Sequence, residues 1–275
     1  MQPLLGLKGS TNPDQYRQRL ADHPDVFEFF LDQNDLTTAG LKHLQTAIDE
    51  VKQVTDRIVL HQPMRYKGWF VEMVTPAKKM PELYQFLRYS SDTLIALAQA
   101  NDIQLLLHGS YSRQTQQFID MYPDLATAQA VVFERLDQYA EQGGTHIMFE
   151  NSISPLFFYG DPTMDQMIFN HHYRLAFDTS HCFIKSHGDN DVLMASLTHL
   201  APHVVHYHLV DSFGLTHDSL PLGTGRIDWA RVLPRLNPQA SSIYEVNLAD
   251  QTNDREMLAS HRYLTNLAHQ LEQHR

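Results

Sequence analysis

Six strand-like apolar runs in this sequence end in residues that bind metals or move protons. They are LHQP with His61, LLHGS with His108, FENS with Glu150, FDTSH with Asp178 and His181, HLVD with His208 and Asp211, and YEVN with Glu245. A carboxylate at the end of a buried strand is costly unless it is paired or holds a cation. Several carboxylates on one rim also repel and shift one another's proton affinity. A divalent cation removes both costs. Two Glu, one Asp and one His form an oxygen-rich set that suits one Mn²⁺, Mg²⁺ or Co²⁺ ion and also accommodates Zn²⁺.

Each residue taken alone has a plainer reading. Asp178 could be a helix N-cap, and His181 a surface side chain. Glu150 could cap a helix, although the Asn-Ser pair after it suits that task better. A lone His in an apolar strand is usually a satisfied core residue, and His206 shares the strand face of His208 by period-two alternation, so both remain candidates. Glu245 in IYEVNL has the weakest alternative, because it sits within an apolar strand. Ligand-type residues at the ends of four consecutive strands point to a metal centre where single residues would not.

Those ends can meet only if the chain brings its strands to one rim. Eight strand candidates recur, at 4–9, 26–31, 57–63, 103–110, 146–152, 174–180, 203–212 and 242–248. Their near-continuous apolar character fits parallel strands buried on both faces. Helical patterns lie between them. Leu41, Leu44, Ile48 and Val51 share one helix face; Leu83, Phe86, Leu87, Leu94 and Leu97 do the same after Pro81. The last helix opens at Asn253 with Glu256 as a capping-box variant and runs through Leu258, Leu264, Leu267 and Leu271. No linker, low-complexity tract or charge block divides the chain, and no GxGxxG or P-loop favours an open doubly wound sheet. The expectation is one (β/α)8 barrel over residues 1–275, with its active site at the C-terminal ends of the strands.

Composition narrows the partners. Of 275 residues, 43% are hydrophobic and 19% charged, an ordinary globular balance. The formal charge of −11, with 21 Lys and Arg, is not the footprint of a general nucleic-acid binder. Cys182 is the only cysteine, which fits a reducing compartment. No apolar run approaches a membrane span, and MQPLLGLKGSTNPDQ lacks the apolar core of a secretory signal, so a cytoplasmic location is expected.

The order FENS, FDTSH, HLVD and YEVN, with PLGTGRIDW after the seventh strand, resembles the xylose isomerase-like barrels over nearly the whole chain. These include sugar isomerases and epimerases as well as apurinic nucleases of the endonuclease IV type. The epimerase branch implies one metal on Glu150, Asp178, His208 and Glu245. Glu150 and Glu245 would exchange protons with the substrate, and His181 would contact substrate oxygens. The implied substrate is a small sugar, keto-sugar or sugar acid, and a homo-oligomer is allowed. His61 and His108 are read as substrate contacts in that branch; in the nuclease branch they match ligands of a second metal. Aligning the Leu222–Gly225 turn puts His217 and Ser219 where that branch carries an Asp-x-His element, which leaves His181 without its expected metal partners.

Further rim residues are singled out on their own chemistry. Lys8 could bind a substrate phosphate or carboxylate. Trp69 and Phe70 in MRYKGWF could stack on a sugar or pack on a neighbouring loop. PLFFYG (155–160) reads as an exposed lid or dimer contact. Asp211 is expected to support a ligand or cap a loop, Gly223 and Gly225 to form a tight turn, Asp228 to cap the helix at Trp229, and Cys182 to pack.

Overall fold

The computed structural model describes residues 2–111 and 113–273; positions 1, 112, 274 and 275 of the single-domain reading lie outside the described residues. Eight parallel strands form one sheet: β1 (Gly6–Gly9), β2 (Val26–Phe30), β3 (Ile58–His61), β6 (Gln104–His108), β7 (Ile147–Glu150), β8 (Leu175–Asp178), β9 (Val204–Leu209) and β10 (Ser241–Tyr244). Every expected strand is present, the first seven trimmed by up to three residues at an end and the last shifted to Ser241–Tyr244, so that Glu245 follows it directly. Where β1 meets β10 the backbones approach closely: a Cβ on Gly6 would lie 1.8 Å from the Ser242 carbonyl oxygen, so only glycine fits this seam. The architecture is a single (β/α)8 barrel.

The helices are α1 (Pro13–Leu20), α2 (Thr38–Val51), α3 (Pro81–Asn101), α4 (Thr115–Ile119), α5 (Leu125–Gly143), α6 (Pro162–Asn170), α7 (Thr179–Lys185), α8 (Asn190–Leu200), α9 (Trp229–Val232) and α10 (Arg255–Gln273). Pro81 opens α3, and Leu44, Ile48 and Val51 are the buried stripe of α2. In α10 the buried stripe is Met257, Ser260, Leu264 and Ala268, while Leu258, Leu267 and Leu271 flank it. Its capping also differs from the sequence reading. Asn253 accepts from Arg255 N at 3.2 Å, but Glu256 accepts from Ala249 N instead of reaching back to Asn253. No helix among the described residues is long and apolar enough to cross a membrane.

A hairpin was not anticipated. β4 (Arg65–Tyr66) and β5 (Trp69–Phe70) pair antiparallel across Lys67 and Gly68, whose φ values of 48° and 86° form a tight two-residue turn. Strands of two residues are too short to show periodicity, so this segment read as plain loop.

Alternation builds the barrel interior in layers. Val59, Leu106, Met148 and Ala176 form a separate apolar cluster inside the barrel. Two residues further along the same strands come His61, His108, Glu150 and Asp178, so the polar residues stand on an apolar floor. Register then sets neighbours: His108 lies opposite Glu150, and Asp178 opposite His208.

Asp211, just past β9, ties down the following loop. Its fully buried carboxylate accepts from Ser212 N (2.8 Å), Ile227 N (3.1 Å), Gly223 N (2.9 Å) and Trp229 Nε1 (3.0 Å). A Cβ on Gly225 would fall 2.3 Å from Asp211 Oδ1, so glycine is needed for this approach. Asp228 caps α9 through Arg231 N at 3.2 Å. Asp211→Ala would strand four donors, and we expect a loss of at least about 3 kcal/mol in urea unfolding.

Candidate metal centre

The C-terminal ends of β7 to β10 bring four ligand-type side chains together. Donor atoms of Glu150, Asp178, His208 and Glu245 all lie within 4.8 Å of one another. His208 Nδ1 is 2.6 Å from Glu245 Oε2 and 3.2 Å from Glu150 Oε1. Both Glu150 oxygens and His208 Nδ1 are buried, and none of their close contacts has hydrogen-bond geometry. Buried atoms of this kind ordinarily find a hydrogen-bond partner, so unpartnered oxygens and an imidazole nitrogen gathered in one ligand cluster fit a divalent cation. The set of three carboxylates and one imidazole matches a hard ion.

Electrostatics without a cation reports the same need. Burial, together with the charges of Glu150 and Glu245, pushes the Asp178 carboxyl up from its ordinary 3.8 to about 7. Burial alone would raise Glu150, but His108 and His208 hold it well below the usual carboxylate range. The His208 imidazole, which burial would lower, is raised well above its ordinary value by Glu150, Glu28 and Glu245. A protonated His208 thus carries positive charge where a cation would sit. Asp178 Oδ1 also caps α7, accepting from His181 N at 2.6 Å and Ser180 Oγ at 2.9 Å. Asp178 is therefore both an N-cap and a member of the ligand cluster.

Two imidazole pairs flank this cluster. His61 Nδ1 donates to the Gln62 carbonyl at 3.0 Å, which leaves its Nε2 as a lone pair. That Nε2 lies 3.1 Å from His108 Nε2, and the two stand 3.6 and 3.0 Å from Glu150 Oε2. On the other side, His181 Nδ1 donates to the Asn151 carbonyl at 2.9 Å, and its Nε2 faces His217 Nε2 at 2.8 Å. His181 therefore has a histidine partner, although Ser219 supplies none.

Below the cluster lies a carboxylate the sequence reading missed. Glu28 on β2 is fully buried, with Oε2 accepting from His208 Nε2 (2.9 Å) and His206 Nε2 (3.2 Å), while Lys8 Nζ lies 3.0 Å from Oε1. The structure separates the two histidines: His208 presents Nδ1 to Glu150 and Glu245, and His206 Nδ1 turns to Ser241 Oγ at 2.6 Å. Because Glu28 binds Nε2–H of His208, it fixes which nitrogen faces the centre. Glu28→Gln should weaken divalent-metal affinity about 10- to 100-fold in a chelator competition, with the metal-free protein still folded by circular dichroism.

The remaining sequence-derived positions fall as follows. Lys8 is buried, and its ammonium is taken up by Glu28 and Glu245, so it balances protein carboxylates at the cavity wall. Trp69 turns away onto Phe118, with ring centroids 5.9 Å apart, and Phe70 packs on Tyr111 at 5.1 Å. The hairpin residues that reach the cavity are Met64, Arg65, Lys67 and Gly68. PLFFYG is not an exposed lid: Leu156, Phe157 and Tyr159 are core residues, because the loop after β7 folds under the rim. Gly223 N is spent on Asp211. Cys182 is buried and packs. A cavity of 670 Å³ opens beside the centre, lined by Lys8, His61 and Glu245 at one end. Glu245, with 29% of its side chain exposed, lines it directly; Glu150 lies deeper, 3.2 Å from the same His208 Nδ1.

Comparison with known proteins places the fold. A family model described as "Xylose isomerase-like TIM barrel" matches residues 24–266. No curated protein sequence matches the chain. Among solved structures, a D-tagatose 3-epimerase-like protein superposes with a TM-score of 0.69 at 17% identity, covering 97% of this chain and 98% of its own. A Thermus thermophilus protein soaked with ZnCl2 gives 0.66 at 16% identity, over 97% and 99%. D-psicose 3-epimerase from Clostridium cellulolyticum, solved with D-tagatose, gives 0.63 at 12% identity, over 97% of each. At these identities the likeness is one of fold.

Proposed function

The chain belongs to the xylose isomerase-like TIM barrel family, and from that premise we propose that it is a divalent-metal-dependent isomerase or epimerase of a sugar, keto-sugar or sugar acid. The observation that carries this reading is the placement of Glu150 and Glu245 on the same His208 nitrogen, 3.2 and 2.6 Å away, within one ligand cluster. Two carboxylates beside one substrate position are what a proton shuttle between carbons, or between faces of one carbon, requires. The fold-level likeness to two ketose 3-epimerase-type proteins supports the same reading.

Glu150, Asp178, His208 and Glu245 would hold the metal. When bound, it would act as a Lewis acid that lowers the cost of negative charge on a substrate carbonyl oxygen. Glu245, open to the cavity, takes the proton from the carbon next to that carbonyl. Glu150, deeper and ionised, serves the other side. Asp178 and His208 remain ligands, His208 locked by Glu28. His181, held by the Asn151 carbonyl, orients a substrate hydroxyl through its Nε2. Incubation of the metal-loaded protein with a ketose panel in D2O tests this: the reading expects deuterium at carbon in both substrate and product, and no exchange on any ketose would refute it.

One observation favours a second reading. The Nε2 atoms of His61 and His108 converge on Glu150 Oε2 and could hold a second cation. His61, His108 and Glu150 would then hold that ion, Glu150 could not also carry a proton, and two-metal hydrolysis of a phosphoester would become the better assignment.

A further inference from the structure

We propose that the substrate carries an oxyanion, a phosphate ester or a carboxylate, at the end remote from the reacting carbon, and that Arg65 binds it; this rests on the isomerase/epimerase reading. The 670 Å³ cavity runs from His61 and Glu245 at the metal centre to the hairpin residues Met64, Arg65 and Lys67. Three cations line it, and two are already neutralised. Lys8 is held by Glu28 and Glu245, and Lys67 by Glu82. Arg65 is exposed and makes no ion pair or side-chain hydrogen bond among the described residues. Asp32, the other acidic residue on the wall, spends its carboxylate on Asn34, accepting from its backbone N at 2.6 Å and from Nδ2 at 3.4 Å.

The free guanidinium is also positioned. Arg65 pairs across the hairpin with Phe70, and its Cζ lies 4.3 Å from that ring's centroid. The cation–ring contact restrains the guanidinium at the cavity wall. The hairpin under it is pinned from outside at two points and closed by a bond between its own arms. Lys67 N donates to Gln33 Oε1 at 3.0 Å, Phe70 N to Gln114 Oε1 at 2.7 Å, and Val71 N to the Met64 carbonyl at 2.9 Å. An Arg held over a ring beside a polar cavity, without an acid of its own, suits a planar or tetrahedral oxyanion.

The test is calorimetric binding to metal-loaded protein of D-fructose, D-fructose 6-phosphate and D-glucuronate, with wild type, Arg65→Gln and Lys67→Gln. The inference expects at least one anionic ligand to bind roughly tenfold or more tighter than D-fructose. That advantage should fall to within about twofold in Arg65→Gln and persist in Lys67→Gln; which ligand shows it tells phosphate from carboxylate. An advantage unchanged in Arg65→Gln would place the anion on the metal and overturn the inference, as would no advantage, or no binding of any of the three. Deuterium exchange on a neutral ketose without Arg65 dependence refutes only the anion site. Arg65-dependent binding without exchange on any ketose refutes only the isomerase reading.

Discussion

Asp178→Asn should give a protein that is more stable without metal and unable to hold it. Asp178 is buried against Glu150 and Glu245, and those charges with burial push its carboxyl up to about 7. A carboxyl whose folded value lies above its ordinary 3.8 favours the fold below that value, and this contribution is lost as pH rises through about 7. Above neutrality the metal-free protein therefore carries the repulsion in full. Asn removes the charge but keeps the Oδ1 that caps α7 at His181 N. We expect the melting temperature of the metal-free variant to exceed wild type by roughly 5 °C at pH 8. The difference should shrink toward zero at pH 4, read by differential scanning calorimetry. Replacing an outer partner of a metal ligand costs about 10- to 100-fold in affinity, so loss of this direct ligand should cost more than about 100-fold. A variant that bound metal normally would remove Asp178 from the centre.

The second large effect concerns proton transfer. Glu245→Gln keeps an oxygen that can still ligate but cannot carry a proton. At saturating metal, turnover should fall about 10²- to 10⁴-fold, the range of general acid–base contributions. The two carboxylates serve different positions, so the variant should still exchange solvent deuterium into the substrate form served by Glu150 and lose it from the other. Equal loss from both would mean that Glu245 holds the metal but moves no proton. Metal content measured on the same samples separates a lost ligand from a lost base.

Much of this was legible in the sequence because alternation and strand ends are local properties. The eight strands, the α2 stripe and the Pro81 start of α3 follow from periodicity and caps. The convergence of Glu150, Asp178, His208 and Glu245 follows from counting to eight and closing the barrel. Depth is not local. Glu28 in VFEFFL carries the same signal as Glu245, a carboxylate in an apolar strand, but only the stagger between strands puts it one layer lower. His206 and His208 have the same parity for the same reason, and register alone tells them apart. Loops hid the rest. The Lys67–Gly68 turn makes a hairpin too short to show a pattern and turns Trp69 outward from the cavity. PLFFYG looks exposed in composition yet is core, and the turn alignment puts His217 at the right place without showing that its ring meets His181.

The isomerase reading requires a single metal that leaves Glu150 free to move a proton. The decisive measurement is elemental analysis of protein saturated with Mn²⁺, Co²⁺ or Zn²⁺, for wild type and for the double variant His61→Ala with His108→Ala. One ion per chain in both proteins is the predicted result. Two or more ions in wild type, falling by one in the double variant, would contradict it, make Glu150 a ligand of the second ion and move the assignment to two-metal phosphoester hydrolysis.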